Sequence, residues 1–274
     1  MKLSIIILNY KTLGLVKQLL KNLRVKPFSI SHEIIVVDNN SSDDTPRVIK
    51  ELFPYVRVIE LRKNIGFAGG NNVAIREAKG EYILILNSDV AATRDAIENL
   101  CAFMDSHKSV GIVGPKLINP DGSTQMSSLR WPKFFTPFCR RTFFGKLSIG
   151  KKELSRYLML DFDHKSNAYV PWLLGACLMV RSNCLKTVGL MDERFFLYLD
   201  DTDWCRRFWE NGFSVMYLPA VELVHYHERL SASESWFRAL WNRTSYIHIM
   251  SFIKYFLKYQ RKPLPNIPTG AALT

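Results

Sequence analysis

The chain lacks the features that mark a disulfide-stapled, membrane-spanning or modular protein. Its five cysteines (Cys101, Cys139, Cys177, Cys184 and Cys205) are odd in number and never fall in a C-x-x-C spacing. That disfavours a disulfide framework and a structural zinc site, and makes a reducing cytoplasm the expected compartment. No stretch approaches the ~18 uninterrupted apolar residues of a membrane span. The run Leu3–Leu8 is stopped by Asn9, Tyr10 and Lys11, which is too short for a signal-peptide core. There is no internal repeat, no Gly/Ser linker and no G-x-G-x-x-G motif, so a dinucleotide fold has no support. With 47% hydrophobic residues the chain is not disordered either.

What is present is an uneven distribution of charge. The net charge of +12 over 274 residues is concentrated in residues 130–156, at +7, and residues 236–262, at +6. The rest of the chain nets −1, so a neutral body carries two basic, aromatic-rich segments. Localised basicity of this kind points to an anionic surface or substrate. Acids gathered elsewhere disfavour a nucleic-acid reader, so no nucleic-acid partner is expected.

Short apolar runs alternate with helical periodicity through the first 115 residues. Leu3–Leu8, Glu33–Val37, Val56–Leu61, Tyr82–Leu86 and Gly111–Gly114 predict strands, with helices near 13–23, from Pro46 with Thr45 as N-cap, over Ala68–Lys79 closed by Gly80, and over Arg94–Ser106. This order predicts an α/β fold with a doubly wound, mostly parallel sheet. Such sheets bind ligands outside the carboxyl ends of their strands. Asn9, Asp38, Asn64 and Asp89 fall at four of those ends. Residues 116–168 show no clear period. Beyond them, Tyr169–Val180 is regular, Asp201–Asn211 predicts a helix, Ser214–Leu218 a short strand, and the C-terminal third is helical.

Several constellations carry chemistry, each with a plainer reading beside it. Asn87-Ser88-Asp89 follows an apolar strand, where a carboxylate is well placed for a Mg²⁺ or Mn²⁺ ion on a diphosphate. Asp89 equally suits a cap for the helix near Thr93. Gly66-Phe67-Ala68-Gly69-Gly70-Asn71-Asn72 permits close backbone approach at a helix N-terminus, for an anion or simply for packing. Leu199-Asp200-Asp201-Thr202-Asp203-Trp204 crowds three carboxylates, which suits a general base of raised pKa or a cap plus a first-turn acid. His225-Tyr226-His227, with Ser231 beyond, offers an imidazole to complete a metal site begun by Asp89, or a structural histidine.

These segments, taken in order, resemble a family 2 (GT-A fold) glycosyltransferase. The resemblance runs through Ser4–Tyr10, Val36–Asp43, Asn64–Asn71, Leu86–Asp89, Gly175–Arg181, Gly189–Phe196, Asp200–Arg207 and His225, from residue 3 to about 231. It implies that Asp38 recognises a pyrimidine base, with Asn9, Asn64, Asn72, Asn87 and Ser88 lining the nucleotide-sugar pocket. It implies Asp89 and His225 on a divalent cation, Mg²⁺ or Mn²⁺, Asp201 as catalytic base, and Trp172, Gly175 and Asp200 on the acceptor side. Two departures stand out: Asn87 replaces the first acid of Asp-x-Asp, and Asp200 replaces the usual Glu.

The implied domain plan is a transferase domain over 1–231, with a nucleotide half to about 115 and an acceptor half from 116. A helical C-terminal extension follows over 232–274. The implied reaction is inverting transfer from a nucleotide-diphosphate sugar to a saccharide or polyprenyl-linked acceptor, in polysaccharide or O-antigen synthesis. The overall pattern resembles bacterial rhamnosyltransferases using dTDP-rhamnose, with a UDP-sugar as the other donor. The rival readings are a sugar-phosphate nucleotidyltransferase and a non-catalytic basic binding protein. The first should carry a Gly-rich, basic phosphate loop after the first strand, where Asn9–Gly14 has one glycine. Tyr246, Ile249, Met250, Ile253, Phe256 and Leu257 form one helical stripe. Either both basic segments rest on an anionic membrane, on the inner face of the cytoplasmic membrane, or the stripe packs on the sheet or in a homodimer.

Overall fold

The first strand alternates its apolar residues between two faces, and both faces are buried. In the computed structural model, which describes residues 1–226 and 243–268, β1 (Leu3–Asn9) directs Leu3, Ile5 and Ile7 into one core and Ile6 into another. A strand buried on both sides needs helices on both faces of its sheet. Each fully buried Ile or Leu contributes roughly 1.5–3 kcal/mol to that arrangement.

Strand β1 pairs in parallel with β2 (His32–Asp38) and β4 (Tyr82–Leu86), and β2 with β3 (Arg57–Glu60). Helices α1 (Leu13–Arg24), α2 (Thr45–Leu52) and α3 (Gly66–Glu77) make the connections. After β5 (Val90–Ala91) and α4 (Arg94–Ser106), β6 (Val110–Ile118) enters the same sheet. The sheet order is β3-β2-β1-β4-β11-β6-β12-β5, where β11 is Cys177–Arg181 and β12 is Ser214–His225. Strand β11 runs antiparallel to β4 and β6, while β6 and β12 are parallel. The expected mostly parallel α/β sheet is present.

Several expected boundaries move. Helix α2 begins at Thr45 with Asp44 as its N-cap, so Thr45 is helical rather than the cap. Helix α3 starts two residues early, at Gly66, and ends before Ala78 turns extended, so Gly80 does not close it. Strand β12 does not stop at Leu218: a register irregularity between Leu218 and Glu222 absorbs Pro219, and pairing resumes to His225. The aperiodic region holds short β7 (Thr124–Gln125) and β8 (Ser128–Leu129), then α5 (Thr136–Arg141) and α6 (Ser148–Tyr157). It is followed by β9 (Ala168–Tyr169) and β10 (Trp172–Leu173) before β11, α7 (Leu185–Val188) and α8 (Asp200–Glu210). All five cysteines are buried free thiols.

The last helix, α9 (Arg243–Tyr259), presents the opposite face to the one its apolar stripe suggests. Its buried residues are His248, Ser251, Phe252, Tyr255 and Tyr259, which meet Phe195 and Leu199. Tyr246, Ile249, Ile253 and Leu257 of the stripe are exposed, and Phe256 is half-buried. The inward-packing reading of that stripe is therefore overturned. No helix among the described residues is long and apolar enough to cross a membrane. His227 and Ser231 lie outside the described residues.

Candidate active site at the carboxyl edge of the sheet

The register of β1 and β2 makes Asn9 and Asp38 direct partners at their strand ends. Both are buried. The Asn9 amide donates to Asp38 Oδ1 (2.7 Å) and to Ser41 Oγ (2.9 Å). Ser41 adds its hydroxyl (2.5 Å) and its backbone N–H (3.1 Å) to the same carboxylate. A carboxylate offers about four lone-pair directions, so three fixed donors orient Asp38 and leave room for one more. Asn9 Oδ1 in turn accepts from Thr12 N and Oγ1, and Thr12 Oγ1 lies 3.0 Å from Ser88 Oγ. The ends of β1, β2 and β4 are thereby joined. Lys11, Asn40 and Ser42, beside this cradle, all adopt left-handed φ values. Such strain persists only where the surroundings over-determine it, and it gathers at functional sites.

Asn64 borders the cradle. Its Oδ1 accepts from Asn39 Nδ2 (3.1 Å) and Gly66 N (2.9 Å). Asn72, by contrast, is not brought there. Its amide donates to Met191 O and Glu193 Oε1 and accepts from Met191 N, so a buried side chain has both donors and its oxygen tied to the 191–193 turn. The glycine loop is likewise a packing device. A Cβ at Gly66 would lie 2.3 Å from the Phe196 carbonyl oxygen and one at Gly70 would lie 2.4 Å from Leu8, while Phe67 N–H already donates to Phe196 O. The N-terminus of α3 is thus covered by chain.

The turn after β4 carries the second cluster. Asp89 does not cap α4, because Thr93 takes that place by accepting from Ala96 N–H. Instead Asp89 Oδ1 stands 3.3 Å from His225 Nε2, with Asp89 O accepting from Tyr226 N. The irregularity in β12 and its pairing with β5, His225 opposite Val90, produce this meeting. His225 Nδ1 lies 2.8 Å from Gln125 Oε1, and Gln125 Nε2 donates to Asn119 Oδ1 (3.3 Å). The Gln125 carbonyl fixes the orientation of the ring, which turns Nε2 toward the Asp89 carboxylate. Asp89 Oδ1 is buried and accepts no hydrogen bond among the described residues. A carboxylate and an imidazole converging on one point suit a hard divalent cation. No third His, Cys, Asp or Glu joins them among the described residues.

The third cluster opens α8. Neither Asp200 nor Asp201 caps it: the N-cap is Leu199, left-handed like Tyr198 before it, and the aspartates occupy the first turn. Asp201 Oδ2 accepts from Gly175 N (2.9 Å) and Oδ1 from Thr202 N (2.7 Å). Burial raises the Asp201 carboxyl above its ordinary range, and these backbone N–H groups oppose the rise. Burial, then the neighbouring Asp201, raise Asp200 much further, and its Oδ2 has no hydrogen-bond partner among the described residues. The two environments therefore assign a proton to Asp200 and the charge to Asp201. Backbone connects this cluster to the β4 turn, since Asn87 N–H donates to Ala176 O, one residue from Gly175. Trp172 faces the core instead, donating through Nε1 to Arg130 O and lying against Tyr157.

Residues 4–154, just over half of the chain, match the model of the family described as Glycosyl transferase family 2. The chain belongs to that family. It is 27% identical over 204 residues to an N-acetylglucosaminyl-diphospho-decaprenol L-rhamnosyltransferase of Mycobacterium tuberculosis, covering 70% of this chain and 66% of that one, a little under two thirds of the relative. It is 25% identical over 282 residues to the rhamnosyltransferase WbbL of Escherichia coli, covering 93% and 92% of the two chains. Among solved structures, the mannosyltransferase PcManGT of Pyrobaculum calidifontis, in complex with GDP-Man and Mn²⁺, superposes with a TM-score of 0.63 at 19% identity, over 97% of this chain and 66% of that one. TarS of S. aureus in complex with UDP gives 0.59 at 19% identity, over 83% and 61%. These neighbours establish the GT-A fold for this glycosyltransferase.

Proposed function

We propose that this glycosyltransferase moves a sugar, with inversion, from a nucleotide-diphosphate donor to a hydroxyl of a saccharide or lipid-linked acceptor in surface polysaccharide synthesis. The observation that carries the reading is the Asp201 carboxylate, held by the Gly175 N–H and joined through Ala176 to the Asn87–Asp89 turn. Asp201 takes the proton of the acceptor hydroxyl. The acceptor oxygen forms the new bond to the anomeric carbon as the bond to the donor phosphate breaks, and its electron pair leaves with the nucleoside diphosphate. Asp38, fixed by Asn9 and Ser41, accepts from the donor's pyrimidine base, and Asn64, Asn87 and Ser88 border the same pocket. Residues 1–115 form the donor half and 116–231 the acceptor half, with Gly175 and Asp200 beside the base.

Asp89 and His225 are the residues that would hold a divalent cation, Mg²⁺ or Mn²⁺. A cation bound there supplies Lewis-acid neutralisation of charge on the departing diphosphate. The rhamnosyltransferase relatives, a dTDP-rhamnosyl transferase among them, support dTDP-rhamnose as donor ahead of a UDP-sugar. The expected setting is the cytoplasmic side of the cell envelope.

The test is a panel of UDP-, GDP- and dTDP-sugars, scored for binding and for slow nucleotide release, with Mn²⁺, Mg²⁺ or chelator. One nucleotide should be released in a metal-dependent way. Failure to bind any nucleotide sugar would overturn the reading.

A further inference from the structure

The two basic segments, separated by 79 residues of sequence, meet in the fold. The Phe134 and Phe256 rings contact edge-on at 5.7 Å, joining the α5–α6 region to α9. In the α5–α6 region and on α9, large apolar side chains face solvent: Phe135 is 68% exposed, Phe143 66%, Ile149 86% and Leu257 61%. Soluble proteins rarely leave such side chains together on one surface unless something covers them.

The charge of the patch says what that is. Glu153, the one carboxylate of residues 130–156, points inward, accepting from Thr136 and pairing with Arg156. Arg140, Lys146, Lys151 and Lys152 are exposed around the phenylalanines, so the outward charge has one sign. On α9, Lys258 pairs with Asp192 and Asp203, while Lys254 is exposed and donates to Arg194 O beside the exposed Ile249, Ile253 and Leu257. An apolar surface rimmed only by cations repels a second copy of itself, because a two-fold interface would place like charges opposite each other. It complements a bilayer, where apolar side chains enter the headgroup boundary and each nearby Lys or Arg adds about 1 kcal/mol against anionic lipid.

We propose that the α5–α6 region and the outer face of α9 form one docking surface for an anionic membrane. The same helix α9 is bonded to the start of α8 through Asp203, so the docked surface and the proposed base belong to one rigid assembly. Membrane docking is independent of the proposed donor chemistry: vesicle partition and nucleotide release are read separately, and either can fail alone.

The full chain is floated with vesicles of phosphatidylcholine alone or mixed with phosphatidylglycerol. It should float with the anionic vesicles at low salt, stay behind with the neutral ones, and be released in part by high salt. Phe135→Glu with Ile149→Glu, and separately Lys151→Glu with Lys152→Glu, should each weaken partition at least about tenfold with the melting temperature unchanged. Because all four side chains are exposed, the melts distinguish lost docking from lost folding. Three outcomes would each overturn the proposal: no flotation with anionic vesicles at low salt, wild-type flotation of both variants, or a solution dimer that both variants dissociate. Preferential retention on single-stranded RNA in a competition with the vesicles would also overturn it, in favour of a nucleic-acid partner.

Discussion

Asp200 and Asp201 are neighbours in sequence with opposite environments, and that difference is measurable. Replacing Asp201 by Asn removes the proton acceptor and keeps its shape, so transfer should fall ~10²–10⁴-fold. Donor affinity, followed by calorimetry, should stay near wild type; near-normal turnover would reassign the base. Asp200→Asn should act on stability. Because burial and Asp201 raise the Asp200 pKa in the folded state, folding takes up a proton once pH exceeds the unfolded value, ordinarily 3.8. The fold is penalised above that pH and not below it. The Asn variant should therefore melt higher than wild type at about pH 8, with the difference vanishing as pH falls toward about 4. Gln125 makes a third case, since it holds the His225 ring from the side away from Asp89. Gln125→Leu removes that hold on the ring's orientation and should weaken Mn²⁺ binding about 10–100-fold. That loss is read by titrating the ion in the absence of donor.

At the scale of elements, α9 works as a strap across the segment that enters α8. Ser251 Oγ donates to Leu197 O, Lys254 Nζ to Arg194 O, and the Tyr198 ring lies tilted against His248. Between those anchors the chain passes through two consecutive left-handed residues, Tyr198 and Leu199, a conformation that costs of order 1–3 kcal/mol per residue. That turn sets Asp200 and Asp201 in the buried first turn of the helix. Lys258 closes the strap on Asp203, which is fully buried and also accepts from Tyr259 and Arg207. Lys258→Met should cost on the order of 2 kcal/mol in denaturant unfolding, below the usual loss for a buried pair because two donors stay on Asp203. The double variant with Asp203→Asn should recover part of that loss, as a coupled pair does.

Over the whole molecule, the sheet and its carboxyl edge were legible because apolar runs ending in Asn or Asp leave few other arrangements. Asn9, Asp38 and the acids before Trp204 stand out for that reason. Asn72 and Trp172 were not legible as core residues, since nothing in a side chain's identity says whether its amide or indole meets a ligand or a backbone carbonyl. Pro219 hid the second half of β12, because the irregularity that accommodates it leaves no sequence period. The inner face of α9 escaped for a related reason: it is built partly of His248 and Ser251, whereas the uniformly apolar stripe faces out. Gln125, in a two-residue strand within an aperiodic region, gave no signal at all. The strap also imposes an order in time. Synthesis reaches the turn that carries Asp201 before it reaches the helix that fastens that turn, so the order along the chain is the reverse of the order of support.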